Sequence, residues 1–254
     1  VLVTAFDSIL SRLSKQEIIL PIFENAMRAN KWPDSYMIEV DSREYYGKGD
    51  GYFHPSTHPL MDERLLYYLF HPDTVKFVTE EPYSLERDLA AGVGSSLHAM
   101  IQTMLIQTGL ARPENVELTY INEDHHIRGR IDVIVDHPTR GRILVEIKSR
   151  THYKFGKQDA PLPEWEAQLS IALDWAGLEN GVILMVETGY PFRMKEFQVA
   201  RNDALLSQIY QKFDRVREAI SLNRTPVPCC APNSPTASSC PAKFACWSHP
   251  DGPR

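Results

Sequence analysis

Three β-branched runs crowd the middle of the chain and constrain its fold more than any other feature: Val116–Ile121, Ile127–Val135 and Ile143–Ile147. Turn residues bound each of them, so they read as strands. Asp136-His137-Pro138-Thr139-Arg140-Gly141 reads as a hairpin connection between the second and third. Val182–Val186 is apolar throughout, as a buried central strand would be, and Arg193–Val199 alternates like an edge strand. Helical periodicity covers the flanks. One helix is expected over Asp7–Asn30 with a kink near Pro21, and others over Met61–Phe70, Ser84–Leu110 (Ser84 as N-cap) and Pro163–Leu178. The last, Asn202–Leu222, puts Leu205, Ile209, Phe213, Val216 and Ile220 on one face. Tyr36–Val40 reads as a short strand and Tyr45–Pro59 as loop. That order predicts an α/β fold, a mixed central β-sheet flanked by helices. It also predicts a helical N-terminal region over 1–83, a core over 84–225, and a tail over 226–254 that gathers all four cysteines.

A chain of 254 residues, 43% hydrophobic and 24% charged, buries enough apolar surface to fold without staples. A disulfide scaffold, a disordered tail and a fibrous protein are excluded. The aliphatic runs are too short to span a bilayer, and Val1–Leu13 lacks the basic start and apolar core of an export signal. A cytoplasmic, reducing setting is expected, with the cysteines as free thiols or metal ligands. The net charge of −6 has the wrong sign for coating nucleic acid. Yet Arg128–Lys157 holds eight basic residues against three acidic ones, which fits either a solvated strand face or a surface that meets phosphates.

Asp132 lies within Ile131-Asp132-Val133 and Glu146 within Val145-Glu146-Ile147-Lys148. A tight hairpin between them sets the two carboxylates on neighbouring strands. Period-two alternation puts Glu146 and Lys148 on one face. Buried charges need partners. A hard divalent cation, Mg²⁺ or Mn²⁺, cancels the repulsion between two carboxylates and polarises a phosphodiester. The same spacing also suits an ordinary ion-pair network on an exposed sheet face.

Two further elements fall in line with this set: Gly94-Ser95-Ser96-Leu97-His98 in the long helix before it, and Gln168 in the helix after it. With Gly129-Arg130-Ile131-Asp132 and Glu146-Ile147-Lys148, the series resembles the PD-(D/E)xK nuclease superfamily. It is most similar to the branch holding the RecB and AddB nuclease domains and small RecB-like exonucleases of CRISPR systems and phages. Ser56 and Arg64-Leu65-Leu66-Tyr67-Tyr68 look like that branch's upstream serine/arginine/tyrosine segment. The resemblance implies a restriction-endonuclease-like core. It also implies that Asp132, Glu146, the carbonyl of Ile147 and His98 hold the catalytic metal, with Lys148 the catalytic lysine and Gln168 positioning it or the DNA. Ile131 replaces the usual proline. Ala172 stands where a tyrosine is expected, and Tyr153 or Trp165 are candidates to substitute for it.

Cys240 and Cys246, with five residues between them, resemble the last pair of an iron–sulfur module in that branch. Pro59, Leu60 and Met61 stand where its upstream cysteine would be, so Cys229 and Cys230 are left to complete the set. A [4Fe–4S] cluster or structural Zn²⁺ suits four thiolates. His58 or His249 could replace one cysteine at zinc, and four unbound thiols are the alternative.

The function expected from these residues and this resemblance is that of a metal-dependent DNA nuclease, an exonuclease on single-stranded or end-bearing DNA. Arg64, Arg130, Arg142, Arg150 and Lys154 would contact the DNA. A non-catalytic DNA-binding adaptor and a restriction-type endonuclease are the alternatives.

Overall fold

In chain order the strands are β1 (Ala111–Asn122), β2 (Ile127–His137), β3 (Gly141–Arg150), β4 (Asn180–Glu187) and β5 (Met194–Ala200). The hairpin between β2 and β3 forms as expected, and His137 shows how. Its Nδ1 accepts from the backbone N–H groups of Thr139 and Arg140, both at 3.1 Å, so the turn's donors are satisfied locally. Gly141 closes the turn at φ +74°, a left-handed conformation that costs glycine little. This computed structural model describes residues 17–29, 50–79 and 84–248. The strand expected over Tyr36–Val40, the segment Val1–Leu13 and His249 lie outside the described residues.

The sheet runs in the order β1-β2-β3-β4-β5. β2 and β3 are antiparallel, with Val133 opposite Val145. β3 and β4 are parallel, with Glu146 opposite Ile183, and β4 and β5 are antiparallel. The fold is therefore α/β, a mixed five-stranded sheet flanked by helices. β4 has a neighbour on each side and reads as continuous apolar sequence. β5 lies at the edge and alternates.

The helices are α1 (Leu20–Ala29), α2 (Glu63–Phe70), α3 (Leu85–Gln107), α4 (His152–Lys157), α5 (Pro163–Ala176), α6 (Asp203–Ser221) and α7 (Pro235–Ser239). Pro21 does not kink α1. It sits in the first turn, where its missing N–H costs nothing. The Glu196 carboxylate of β5 accepts from the N–H groups of Ile18, Ile19 and Leu20, supplying the cap that α1's own sequence lacks.

The chain divides into two compact units. Val1–Ser42, Leu85–Tyr120 and Arg130–Asn202 form the first; Arg43–Ser84, Ile121–Gly129 and Asp203–Arg254 form the second. In this grouping α6 belongs with α2. In the first unit, Val133, Val135, Val145, Ile147 and Leu184 pack with Ile101 and Leu105 of α3 and with Ile19 and Phe23. By length and composition α3 is apolar enough to cross a membrane, which a reading of aliphatic runs alone passes over. In this fold a stripe of it, Leu97, Ile101 and Leu105, is buried.

In the second unit Phe53 stacks on Phe213 at 4.0 Å, and His125 stacks on Tyr210 at 4.2 Å. The buried stripe of α6 is Leu206, Ile209, Phe213 and Val216, so Leu206 takes the place expected for Leu205. The tail is not shapeless. Ala242 and Ala245 pack with Tyr67, Tyr68 and Val78, and Thr79 N–H donates to the Pro241 carbonyl at 2.9 Å.

Candidate active site

The paired register of β2 and β3 begins at Val133 opposite Val145. At the next residue the Asp132 side chain takes over, its Oδ2 accepting the Ile147 N–H at 2.7 Å. A carboxylate thus serves a backbone donor of β3, which fixes Asp132 beside that strand. Glu146 is held as firmly. Its Oε1 accepts from Lys148 Nζ at 2.8 Å and from Gln168 Nε2 at 2.6 Å. Lys148 also donates to Gln168 Oε1 at 2.8 Å. An amide closes this triangle because it gives a proton to the carboxylate and accepts one from the ammonium.

Asp132 is 8% exposed and Glu146 2%. Burial pushes both carboxyls up, Asp132 to about 6 and Glu146 to about 7. The Asp132 charge adds to the rise at Glu146, and Lys148 opposes it at both residues. Glu146 Oε2 is buried with no hydrogen-bond partner.

One stripe of α3 serves the site. Gly94 comes first. A Cβ built there would stand 2.9 Å from Ser149 Oγ of β3, so the missing side chain lets the helix approach the strand. One turn on, His98 Nδ1 lies 3.6 Å from Asp132 Oδ2. Burial lowers the His98 imidazole to about 4, which leaves it neutral with a lone pair to offer. Another turn on, Gln102 Nε2 donates to the Asp132 carbonyl at 3.0 Å and to Glu117 Oε1 at 2.6 Å.

We expect Gly94→Ala to destabilise the protein by about 1–3 kcal/mol through overpacking and to lower activity by displacing His98. Gly94→Ala combined with Ser149→Ala should recover both, since the clashing oxygen is then gone and alanine is the better helix former. Thermal melts of the two single variants and the double variant check this. A double variant no more stable than Gly94→Ala would refute the close-approach argument.

Gln102 and Glu117 are missed by sequence reasoning. Glu117 occupies an alternating polar position of β1, which reads as solvent-facing. It adopts φ +54°, pairs with Arg130, and its charge raises the Asp132 carboxyl. A left-handed non-glycine inside a strand has no sequence signature. Gln102 had one faint signal, its spacing of one turn from His98.

The residues expected at DNA are scattered. The Arg150 guanidinium lies over the Trp165 ring at 4.5 Å, with Nε buried and unpartnered. Lys154 is exposed on α4. Arg142 is exposed, paired in register with Asp136 near the hairpin, about 13 Å along β3 from Glu146. Arg64 lies in the second unit and is buried. Its Nε donates to Tyr68 OH and its Nη1 to the Pro226 carbonyl, both at 3.2 Å, and its guanidinium sits 5.6 Å from the Trp247 ring. It is spent on the fold rather than presented as a free cation. Ala172 is fully packed, so no aromatic side chain fits at that position.

In the second unit the four cysteines are free thiols. Burial raises the Cys246 thiol, Arg64 opposes that, and Cys240 and Cys230 add to it. Desolvation and a hydrogen bond to Cys230 push Cys229 up to about 11, with Asp62 contributing. Cys246 is also hydrogen-bonded to Tyr68. His58 is engaged elsewhere: its Nδ1 accepts the His54 N–H at 2.7 Å. Among the described residues no group of three or more His, Cys, Asp or Glu side chains is placed to hold a metal ion.

No family model matches the chain, and no curated protein matches its sequence. Solved structures are similar at low identity. The protein SSO0001 is 18% identical with a TM-score of 0.46, over 98% of this chain and 100% of that one. The alkaline exonuclease LHK-Exo from Laribacter hongkongensis is 18% identical with a TM-score of 0.45, over 68% of this chain and 89% of its own. A phage-related exonuclease from Haemophilus somnus 129PT is 11% identical with a TM-score of 0.32, over 62% of this chain and 97% of its own.

Proposed function

We propose that this chain is a metal-dependent deoxyribonuclease of the PD-(D/E)xK kind, working as an exonuclease on single-stranded or end-bearing DNA. The observation that carries the reading is Glu146 Oε2, a buried carboxylate oxygen with no donor, next to a second buried carboxylate whose charge opposes its own. Leaving such an oxygen unsatisfied is costly. An all-oxygen pair of this kind fits hard Mg²⁺ or Mn²⁺. Asp132 and Glu146 would hold the ion, with the Ile147 carbonyl and neutral His98 completing the set. When bound, the ion polarises the phosphodiester and makes water a better nucleophile.

The protein's own groups do the rest. Lys148, fixed between Glu146 and Gln168, offers positive charge to the phosphate as negative charge develops there. Gln168 bonds both that ammonium and Glu146 Oε1, which fixes the two relative to each other. Gln102 ties the Asp132 backbone to α3, so His98 and Asp132 keep their spacing. Arg130, Arg142, Arg150 and Lys154 would meet the DNA backbone.

Linear and closed circular single-stranded DNA, each incubated with Mg²⁺, Mn²⁺ or chelator, test the reading. An exonuclease degrades only the linear form. Cutting of the circle would mean an endonuclease, and no cutting of either an adaptor. His98→Ala should raise the Mn²⁺ concentration needed for half activity by about tenfold, the scale of a lost metal-site contact. An unchanged metal titration with a lowered melting temperature would make His98 a packing residue instead.

The thiols of the second unit support one structural metal centre in a reducing, cytoplasmic setting. Drawn together, the four cysteines of this unit would supply the thiolates of a [4Fe–4S] cluster, with structural Zn²⁺ the alternative.

A further inference from the structure

Beyond the catalytic residues, the first unit carries exposed aromatic side chains interleaved with cations where β3 and β4 end. Glu146, Lys148 and Arg150 alternate along one face of β3, so Arg150 lies about 7 Å beyond Lys148. α4 follows directly, and its Tyr153 is 68% exposed. The Lys157 ammonium lies 4.0 Å from the centre of that ring. Across the parallel pairing, Arg150 is opposite Glu187, and the β4–β5 connection leaves from there with Tyr190 91% and Phe192 52% exposed.

The two pieces are braced together. Thr188 N–H donates to the Arg150 carbonyl at 2.8 Å. Glu187 binds both His152 and Arg193. Lys195 Nζ donates to the Phe155 and Gln158 carbonyls at 3.2 and 3.0 Å. The aromatic rings therefore stand on a fixed support. Segments 150–159 and 187–195 hold five Lys or Arg against two acidic residues, in a chain of net charge −6.

Large aromatic rings left in water beside cations need a reason. A protein partner's apolar face would leave Arg150, Lys154 and Lys157 without acceptors. A DNA duplex keeps its base faces stacked inside, where Tyr153 and Tyr190 cannot reach them. Unpaired bases next to phosphates satisfy both halves of the surface, since every base has a face to stack and every nucleotide carries a negative charge.

We propose that α4 and the β4–β5 connection form a stacking platform for single-stranded nucleic acid, with bases resting on Tyr153 and Tyr190 and phosphates on Arg150 and Lys154. It deepens the nuclease reading and rests on it only for the statement that the strand bound there is the strand cut. The platform receives the strand as it leaves or approaches Lys148, without regard to base sequence.

The test is binding without cleavage. Fluorescence anisotropy in chelator compares a labelled oligothymidine, an abasic strand of the same length and a duplex. Tyr153→Ala and Tyr190→Ala should each weaken oligothymidine binding about tenfold, within the range for one lost stacking contact. Tyr153→Phe and Tyr190→Phe should bind like the parent. Duplex affinity should stay unchanged, and the abasic strand, which loses both stacks, should bind the parent more weakly than oligothymidine binds either alanine variant. Alanine variants that bind oligothymidine like the parent would overturn the platform, as would equal losses on all three ligands. If the binding results are as expected but no DNA is cut with Mg²⁺ or Mn²⁺, the platform stands and the nuclease reading falls.

Discussion

Glu146→Gln should lower DNA cleavage by about a hundredfold or more, the scale of removing a preorganised transition-state charge stabiliser, while the protein melts at or above the parent's temperature in chelator. The two halves have one cause. The Glu146 anion is 2% exposed and its carboxyl is pushed up by burial and by Asp132, so in the absence of metal its charge opposes folding. Glutamine keeps an oxygen for Lys148 and Gln168 and removes that charge. Asp132→Asn should behave alike in activity. A Glu146→Gln enzyme cutting within about threefold of the parent would refute the active-site assignment, because an effect so small is far below what loss of such a group costs.

Cys240→Ser and Cys246→Ser should each abolish metal incorporation and lower the melting temperature by on the order of 10 °C. That follows from losing several kcal/mol of metal binding in a chain where each kcal/mol is worth about 2–4 °C. Both residues border the cluster formed by Tyr67, Tyr68, Val78, Ala242 and Ala245, so the centre would lock the tail onto α2. Purified anaerobically, the parent should be brown and contain iron. A colourless parent with stoichiometric zinc would replace the cluster with Zn²⁺ and keep the site. Variants that melt like the parent would remove the structural role.

What could be read from the chain, and what could not, follows the range of the interactions involved. The pairing of Asp132 with Glu146 and Lys148 was legible because strand alternation and a short hairpin are local rules. The central place of β4 was legible because burial on both faces leaves a continuous apolar run. His98 and Gln168 stood out only through a resemblance, as nothing local distinguishes a histidine or glutamine on a helix. Arg64 reads as a free cation because its partners Pro226 and Trp247 lie far down the sequence. The buried face of α6 was misjudged by one residue, Leu205 for Leu206, because both neighbours are leucine and the pattern cannot choose. Glu117 depended on a backbone conformation that no side-chain pattern encodes.

The carboxylate of Glu196 also sets an order of events for a growing chain. Its hydrogen bonds to Ile19 and Leu20 join residues separated by 177 and 176 positions. Contacts of such sequence separation form late, because the intervening chain must be ordered first. α1 emerges early in synthesis, yet a short helix alone in water is marginal, and its capping group is made only after all four preceding strands. Nascent chains halted before Met194 should leave the Ile19 and Leu20 amides open to hydrogen exchange, and release of β5 should protect them. The edge strand of the sheet thereby acts as the last checkpoint on α1.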